Sequence, residues 1–251
     1  MKPDSWDKLG ETFSNAVLEV TDYDQHNVIK KTLRKLGGKK KIAADFGCGI
    51  GASTRVLAPY VKSVVGYDFS KPLLETAKKK TRHQNATYEF LDLRKTWRHQ
   101  KQFELSLCVN ALISDDAALR TQMFSNIVRA TKPGGILVFV VPSLEASLRT
   151  YQLLANSGSL ESKLRKTAIT AANKLATEEI KSLAEGIVSV GNVPTKHFME
   201  DELKDLFFSA RLTAVDVSRV SYPWDTIIDD VPGDIKELPP WDWIATARKP
   251  R

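Results

Sequence analysis

The sequence predicts a doubly wound α/β fold, in which helices cover both faces of a seven-stranded, mostly parallel sheet. Strand-like and helix-like patterns alternate from Lys41 to Val141, as expected for consecutive strand–helix–strand units. The strand-like runs are almost continuously apolar, which favours strands buried on both faces. A glycine-rich turn, Gly47-Cys48-Gly49-Ile50-Gly51, joins the first strand to a helix. We predict a single domain of residues 1–251 that combines this sheet with N-terminal helices and a helical cap insert.

The first half of the chain opens with helices and continues with strands. Residues 1–36 carry apolar side chains at helical spacings. We interpret them as a helical lid that ends at Gly37-Gly38, because glycine commonly terminates helices. Helices are also predicted after the glycine turn and over residues 71–82. The strands predicted in this half cover residues 41–46, 63–68, 87–91 and 103–109.

The second half contains the predicted insert. A helix over residues 117–131 is ended by Lys132-Pro133-Gly134-Gly135 and is followed by an apolar strand at 136–141. Residues 144–192 carry helical patterns without an obvious strand, and we predict a helical cap insert over residues 144–198. The last predicted elements are a helix at 199–209, with acidic residues at its start as the helix dipole favours, and strands at 212–220 and 241–247.

The composition excludes several classes of protein. No apolar run reaches the roughly 18 residues that span a bilayer, so we expect no membrane association. The polar start, Met1–Asp7, lacks the apolar core of a secretory signal. Both cysteines, Cys48 and Cys108, lie in apolar segments outside any metal-binding spacing. We therefore expect reduced thiols, a cytoplasmic protein and no metal site.

The net charge of +7 raises the question of an acidic partner such as RNA. The basic residues, however, fall in short clusters at 39–41, 78–80 and 94–101. We interpret these clusters as solvated surface, and we do not expect a nucleic-acid partner.

Three acidic residues follow the predicted strands in a regular way. Asp45 precedes the glycine turn, Asp68 ends the second strand and Asp92 ends the third. The carboxyl ends of parallel strands meet at one edge of a sheet, where open α/β folds bind their ligands. Glycines at such a turn let the backbone approach a ligand closely. These residues therefore predict a ligand crevice at that edge, although a glycine turn alone can also serve only packing.

This acid–glycine–acid pattern resembles that of the class I S-adenosylmethionine (SAM)-dependent methyltransferases. The first motif of that family is an acid followed by GxGxG, matched by Asp45 to Gly51, and many members carry the KPGG sequence found at 132–135. The resemblance extends over residues 42–141. It implies a Rossmann-like methyltransferase fold, SAM as the cofactor and S-adenosylhomocysteine (SAH) as its product.

The resemblance also implies roles for the glycine turn and for the first two of the three acidic residues. Gly47, Gly49 and Gly51 would line the methionine moiety of SAM. Asp45 would fix the turn and lie near the amino group of the ligand. Asp68 would accept hydrogen bonds from both ribose hydroxyls.

Further along the chain, the resemblance implies an adenine site and a second backbone contact. Phe69 would pack near the adenine, Asp92 would accept from its amino group, and Leu93 would donate its backbone N–H. Asn110 and Leu112 follow the fourth strand, where backbone carbonyls usually meet the ligand.

A nicotinamide cofactor is the main alternative for this turn, because NAD enzymes also use an acid on the second strand for the ribose. Two observations favour SAM. Asp45 would repel a pyrophosphate, and the turn continues as Ala52-Ser53-Thr54 rather than with the GxGxxG spacing.

The sequence indicates less about the methyl acceptor than about the cofactor. The residues after the fourth strand, 110–113, lack the Asn/Asp-Pro-Pro-aromatic motif of nucleobase amine methylation, and Cys108 lacks the preceding proline of a cytosine-C5 nucleophile. We expect a small-molecule acceptor with a nitrogen, oxygen or sulfur nucleophile, methylated by in-line displacement mainly through positioning. The alternatives are an RNA- or protein-modifying methyltransferase and a non-catalytic scaffold.

Several side chains are candidates for the acceptor site. His197 lies in Pro194-Thr195-Lys196-His197-Phe198, after the predicted cap, and is the candidate catalytic residue. A structural histidine that bridges two elements is the alternative. The candidate residues of the acceptor pocket are Trp6, Tyr23, His26, Tyr222 and Trp224.

Overall fold

The computed structural model describes residues 20–97, 103–156, 180–190, 193–227, 231, 235 and 239–251. The first part of the predicted lid, including Trp6, lies outside the described residues, as does the middle of the predicted cap insert. The elements below are those of the described residues.

The helices and strands alternate through the first two thirds of the described chain. The helices are α1 (Val20–Tyr23), α2 (Val28–Leu36), α3 (Ala52–Leu57), α4 (Lys71–Lys80), α5 (Ala117–Ala130), α6 (Leu144–Asn156), α7 (Ile180–Ala184) and α8 (Glu200–Ser209). The strands are β1 (Gly38–Phe46), β2 (Val61–Asp68), β3 (Ala86–Phe90), β4 (Phe103–Val109), β5 (Thr131–Pro142), β6 (Ile187–Val190), β7 (Val193–Lys196), β8 (Thr213–Ser221) and β9 (Trp241–Arg248).

Seven strands form one sheet in the order β3-β2-β1-β4-β5-β9-β8. The first five pair in parallel, and β9 runs antiparallel to both β5 and β8. The predicted seven-stranded, mostly parallel sheet is therefore confirmed. The strand order reverses at β1, which lies between β2 and β4, so the carboxyl ends of β1 and β4 flank the crevice where such sheets bind ligands.

Helices bury both faces of the sheet, because successive strand residues point to opposite sides. On one face, Ile29 and Leu33 of α2 pack with Ala43 and Val64 of the strands. Ala44, the residue after Ala43 in β1, packs on the opposite face of the sheet. The aromatic side chains that pack on this second face include Phe124 of α5, Phe139 of β5 and Phe207 of α8, whose ring centroids lie 5.5–5.8 Å apart.

The predicted boundaries differ from the structure at the amino ends of two strands. β1 begins at Gly38 rather than Lys41, because Gly38 already pairs with Val61 before an irregularity in the ladder. β5 begins at Thr131 rather than Ile136, because Thr131 already pairs with Phe103. A register shift separates this pair from the next one, Leu105 with Ile136, and accommodates the additional residues of β5.

The prediction of a cap without strands is wrong for residues 187–190. Strands β6 and β7 form an antiparallel hairpin within the segment assigned to the helical insert. Its two strands are rich in β-branched residues, namely Ile187, Val188, Val190 and Val193. Four-residue strands are too short for their alternation to stand out beside the helical patterns on either side.

Within the part of the chain that the structure describes, no helix is long and apolar enough to cross a membrane. Among the same residues, no group of three or more His, Cys, Asp or Glu side chains is placed to hold a metal ion.

Candidate functional site

The glycine turn after β1 adopts the backbone conformation that the sequence predicts. Gly47, Gly49 and Gly51 all have positive φ angles, of 75°, 51° and 81°, which L residues with a side chain rarely adopt. A Cβ on Gly47 would lie only 2.2 Å from Cβ of Ala111. The loop after β4 therefore closes against the turn and leaves no room for a larger residue at position 47.

Asp45, at the end of β1, is fully buried beside this turn. Its Oδ2 accepts hydrogen bonds from Ser53 Oγ at 2.6 Å and from Thr54 Oγ1 at 2.5 Å, both in the first turn of α3. Its Oδ1 has no hydrogen-bond partner among the described residues. Burial raises the pKa of Asp45 to about 6 against the opposing effect of the two hydroxyls. A buried acceptor without a donor is costly, so this atom fits a hydrogen-bond donor or cation brought by a ligand.

Asp68, the last residue of β2, is bonded to the same turn. Its Oδ2 accepts from the backbone N–H of Gly49 at 2.9 Å, and its Oδ1 accepts from that of Ser70 at 2.8 Å. The carboxylate is 6% exposed. Asp68 thus joins the carboxyl end of β2 to the middle of the glycine turn, which brings it close to Asp45 on the neighbouring strand.

Asp92 follows β3 and is held by an arginine that the sequence analysis did not select. Arg94 donates to both carboxylate oxygens of Asp92, at 2.7 and 2.8 Å. Burial alone would raise the pKa of Asp92, but the hydrogen bonds from Arg94 outweigh it and lower the pKa. The guanidinium of Arg94 also lies 4.9 Å from the ring centroid of Phe69. Arg94 therefore links two of the candidate adenine residues, Phe69 and Asp92.

The loop after β4 carries a buried polar network. Asn110 has a left-handed φ of 47°, and its Nδ2 donates to Asp242 Oδ2 at 3.0 Å. Tyr222 Oη donates to Asp242 Oδ1 at 3.4 Å. Burial raises the pKa of Asp242 to about 6, with the two donors acting in the opposite direction. Leu112 packs in the core at 1% exposure, so this loop is fixed at the carboxyl edge of the sheet.

Backbone hydrogen bonds of the residues on either side of His197 hold it near the ends of two central strands, β4 and β5. Lys196 N–H donates to Ile113 O beyond β4, and Phe198 N–H donates to Pro142 O at the end of β5. The His197 side chain is 7% exposed, and its Nδ1 lies 3.0 Å from Thr195 O. Because a carbonyl can only accept, this contact assigns the proton to Nδ1 and leaves Nε2 as the acceptor. Burial lowers the pKa of His197.

The remaining candidates occupy different environments. Tyr23 and His26 are exposed, and His26 lies in the turn before α2 rather than within a helix. Gln25 N–H donates to Ser221 O at the end of β8, so this turn borders the segment that leads to Tyr222. Trp224 is buried and donates its indole N–H to Ile235 O at 2.9 Å.

The two cysteines are buried thiols without disulfide partners. Burial raises the pKa of Cys108 to about 12 and that of Cys48 well above its ordinary value, and neighbouring carboxylates add to the effect. Both thiols are therefore protonated at neutral pH, which opposes a role as a nucleophile.

Four residues of the site were missed in the sequence analysis. Ser53 and Thr54 could have been found, because hydroxyls at the start of the helix after a glycine turn face the end of the preceding strand. Arg94 follows Asp92 by two residues and offers a weaker signal. Asp242 lies 132 residues from Asn110 in the chain, and only the position of β9 beside β5 brings the two together.

Comparison with known proteins agrees with this geometry. Residues 43–135 match a family model described as a methyltransferase domain. A curated relative, malonyl-(acyl-carrier protein) O-methyltransferase 2 of Coxiella burnetii, is 28% identical over 189 residues, which cover 68% of this chain and 75% of the relative.

Solved structures of similar fold cover almost the whole chain. A SAM-dependent methyltransferase from Methanosarcina mazei superposes with a TM-score of 0.62 at 16% identity, covering 87% of this chain and 97% of its own. The N-methyltransferase NodS of Bradyrhizobium japonicum, in complex with SAH, has a TM-score of 0.61 at 16% identity and covers 98% and 99%. Residues 43–135 thus match a methyltransferase domain, and the chain as a whole is similar in fold to SAM-dependent methyltransferases.

Proposed function

We propose that the chain transfers the methyl group of SAM to a nitrogen, oxygen or sulfur atom of a small-molecule acceptor. SAM supplies a methyl group on a sulfonium, which is an activated leaving group, so the contribution of the chain is mainly to position the two reactants. The glycine turn and Asp45 would hold the methionine moiety, with the free Oδ1 of Asp45 accepting from the ligand's ammonium. Asp68 would bind the ribose.

The adenine would lie over Phe69, beside Asp92 and the backbone N–H of Leu93. Since Arg94 already occupies both oxygens of Asp92, the adenine amino group would share this carboxylate with the guanidinium. Arg94 would then also cover one side of the base, as arginine does on aromatic faces.

The observation that carries the small-molecule proposal is the position of the basic residues. Lys39 and Lys40 stand exposed at the amino end of β1. Residues 78–80 form the last turn of α4, which runs back from the carboxyl end of β2 to the amino edge of the sheet. Both clusters thus lie at the edge opposite the crevice, where they would not guide a nucleic acid to the transferred methyl group. The third cluster follows β3 at the crevice; of its described members, Arg94 is paired with Asp92 and Lys95 is exposed.

The elements around the crevice support the same proposal. The β6–β7 hairpin is hydrogen-bonded to the loop after β4, and α6 follows directly from the end of β5. On the other side, the turn before α2 is bonded to the end of β8. We propose that the N-terminal helices and the insert act as lid and cap over a compact acceptor. His197, with its free Nε2, is the proposed proton acceptor.

A second candidate is an acyl group carried on a protein. The Coxiella burnetii relative is named for methylation of malonyl-acyl-carrier protein, and carrier-bound acyl groups would enter the crevice as small molecules do. Malonyl-coenzyme A and malonyl-acyl-carrier protein are therefore the first defined acceptors to be tested.

The test is the transfer of label from methyl-tritiated SAM to a cell extract separated into small molecules, RNA and protein. We expect label in the small-molecule fraction, and much less of it when Asp68→Asn replaces the parent protein at a limiting concentration of SAM. Label that stays with RNA, or with protein after thioester cleavage has released carrier-bound acyl groups, would refute the small-molecule proposal.

A further inference from the structure

The side chain of Asn110 is fixed in one orientation by residues far away in the sequence. Its Nδ2 donates to Asp242, which is 3% exposed. Asp242 is held in turn by Tyr222, at 8% exposure. An ionised carboxylate can only accept hydrogen bonds. The amide nitrogen of Asn110 must therefore face Asp242, and its oxygen must face the other way.

That oxygen lacks a partner among the described residues, although it is buried. Asn110 lies three residues beyond Leu107, which is paired with Asp45. Asn110 is the first residue after β4, and its backbone N–H donates to Val140 O of β5, so it lies beyond the end of β1 but beside the last residues of β5. The next residue, Ala111, lies against the glycine turn at Gly47. The unpartnered oxygen, turned away from Asp242 on β9, therefore lies toward β1 and its glycine turn, at the crevice.

We propose that Asp242 and Tyr222 are positioning residues, which hold the Asn110 oxygen so that it accepts a hydrogen bond from the methyl-accepting nucleophile. This inference rests on the proposed function and narrows the acceptor to a group that carries a hydrogen, which is an amine, a hydroxyl or, with a weaker hydrogen bond, a thiol. An ionised carboxylate nucleophile would bring two acceptors together, so this inference argues against the malonyl acceptors named above, and methylation of either of them would refute it.

In the transfer, the nucleophile's lone pair forms the bond to the methyl carbon, and the carbon–sulfur bond breaks with its electron pair going to sulfur. The nucleophile then carries a positive charge and releases its proton to the proposed acceptor, Nε2 of His197, directly or through water. Asn110 takes up no proton: it directs the N–H or O–H, and so orients the lone pair toward the methyl carbon.

Sinefungin provides a test that needs no identified acceptor. This SAM analogue has an amine-bearing carbon where SAM has the methylated sulfur, so its amine places an N–H donor at the site of transfer. We expect the parent to bind sinefungin more tightly than SAH in calorimetry. Asn110→Ala should reduce that preference by about tenfold, the effect of losing one hydrogen bond to a charged group, while SAH affinity stays the same.

The positioning residues are tested by the same ratio. Asp242→Asn leaves the shape intact but allows the Asn110 amide to turn, so the sinefungin preference should fall. Tyr222→Phe should reduce it by a smaller factor, because the 3.4 Å bond is long. Asn156→Ala, an exposed position at the end of α6, is the matched control and should leave the ratio unchanged.

The outcomes separate this inference from the proposed function. If the parent binds SAH and Asn110→Ala keeps the full sinefungin preference, the positioning role is refuted while the methyltransferase proposal stands. If Asn110→Ala weakens SAH and sinefungin equally, the Asn110 oxygen faces the ammonium of the cofactor instead. That result would also refute the positioning role. Failure of the parent to bind SAH would refute the proposed function itself.

Discussion

The unpartnered oxygen of Asp45 predicts that SAM binding depends on pH. Burial raises the pKa of Asp45 to about 6 in the protein without ligand. An ammonium placed against Oδ1 favours the ionised carboxylate and lowers that pKa in the complex. Binding at a pH below 6 must then be accompanied by loss of the Asp45 proton. The affinity for SAM should therefore be constant above pH 7 and should decrease as the pH falls through 6.

The size of the effect follows from the pKa of the free protein. At pH 5, one unit below a pKa of about 6, roughly nine tenths of Asp45 is protonated, so the affinity should be about tenfold lower than at pH 7.5. The ligand's own ammonium stays protonated throughout this range, so it adds no step of its own. Tenfold corresponds to about 1.4 kcal/mol of binding free energy.

Calorimetry with SAH at pH 5, 6, 7 and 7.5 measures this dependence, and SAH avoids the chemical instability of SAM. Asp45→Asn is the matched variant, because it keeps the shape and one acceptor for Ser53 or Thr54 but cannot ionise. It should bind SAH more weakly at pH 7.5 and show no step near pH 6. A parent affinity that is flat from pH 5 to 7.5, or a step of equal size in Asp45→Asn, would refute the reasoning.

Four further predictions follow from the geometry. Gly47→Ala should abolish SAH binding, because its Cβ would lie 2.2 Å from a neighbouring Cβ. Gly134→Ala is the control: it has a φ of 76°, but its Cβ would make only ordinary van der Waals contact with Arg251. It should cost about 1 kcal/mol of stability and leave SAH binding unchanged in calorimetry. Asp68→Asn should weaken SAH by at least about tenfold, and an unchanged affinity would contradict a ribose contact. His197→Gln should remove the loss of kcat/KM at acid pH once an acceptor is known; an unaltered pH profile would exclude it as the base. Burial raises the pKa of Asp242, so its ionised form destabilises the fold. Lowering the pH from 7.5 to 5 should therefore raise the urea-unfolding free energy of the parent by about 1 kcal/mol more than that of Asp242→Asn. Equal changes in the two proteins would show that Asp242 does not titrate in this range.

The sheet could be predicted because its signals are local. Each apolar run of four to eight residues predicts a buried strand by itself, and the glycine turn is identified by its own spacing. The acids Asp45, Asp68 and Asp92 were placed by a rule of topology, that the carboxyl ends of parallel strands share one edge. These predictions needed no knowledge of contacts between distant segments.

The parts that could not be predicted depend on such contacts. The β6–β7 hairpin has strands of only four residues, whose alternation is weak beside neighbouring helices. The Asn110–Asp242 bond joins residues 132 positions apart, and nothing in the sequence around Asp242 marks it as part of a site. The free acceptor atoms of Asp45 and Asn110 likewise become visible only when every other hydrogen bond has been assigned.

The central claim is that this crevice binds SAM, and calorimetric titration of the purified chain with SAM, SAH and NAD tests it most directly. We predict one binding site for SAM and for SAH, weakened in Asp68→Asn, and no heat of binding with NAD. Binding of NAD without binding of SAM or SAH would contradict the account.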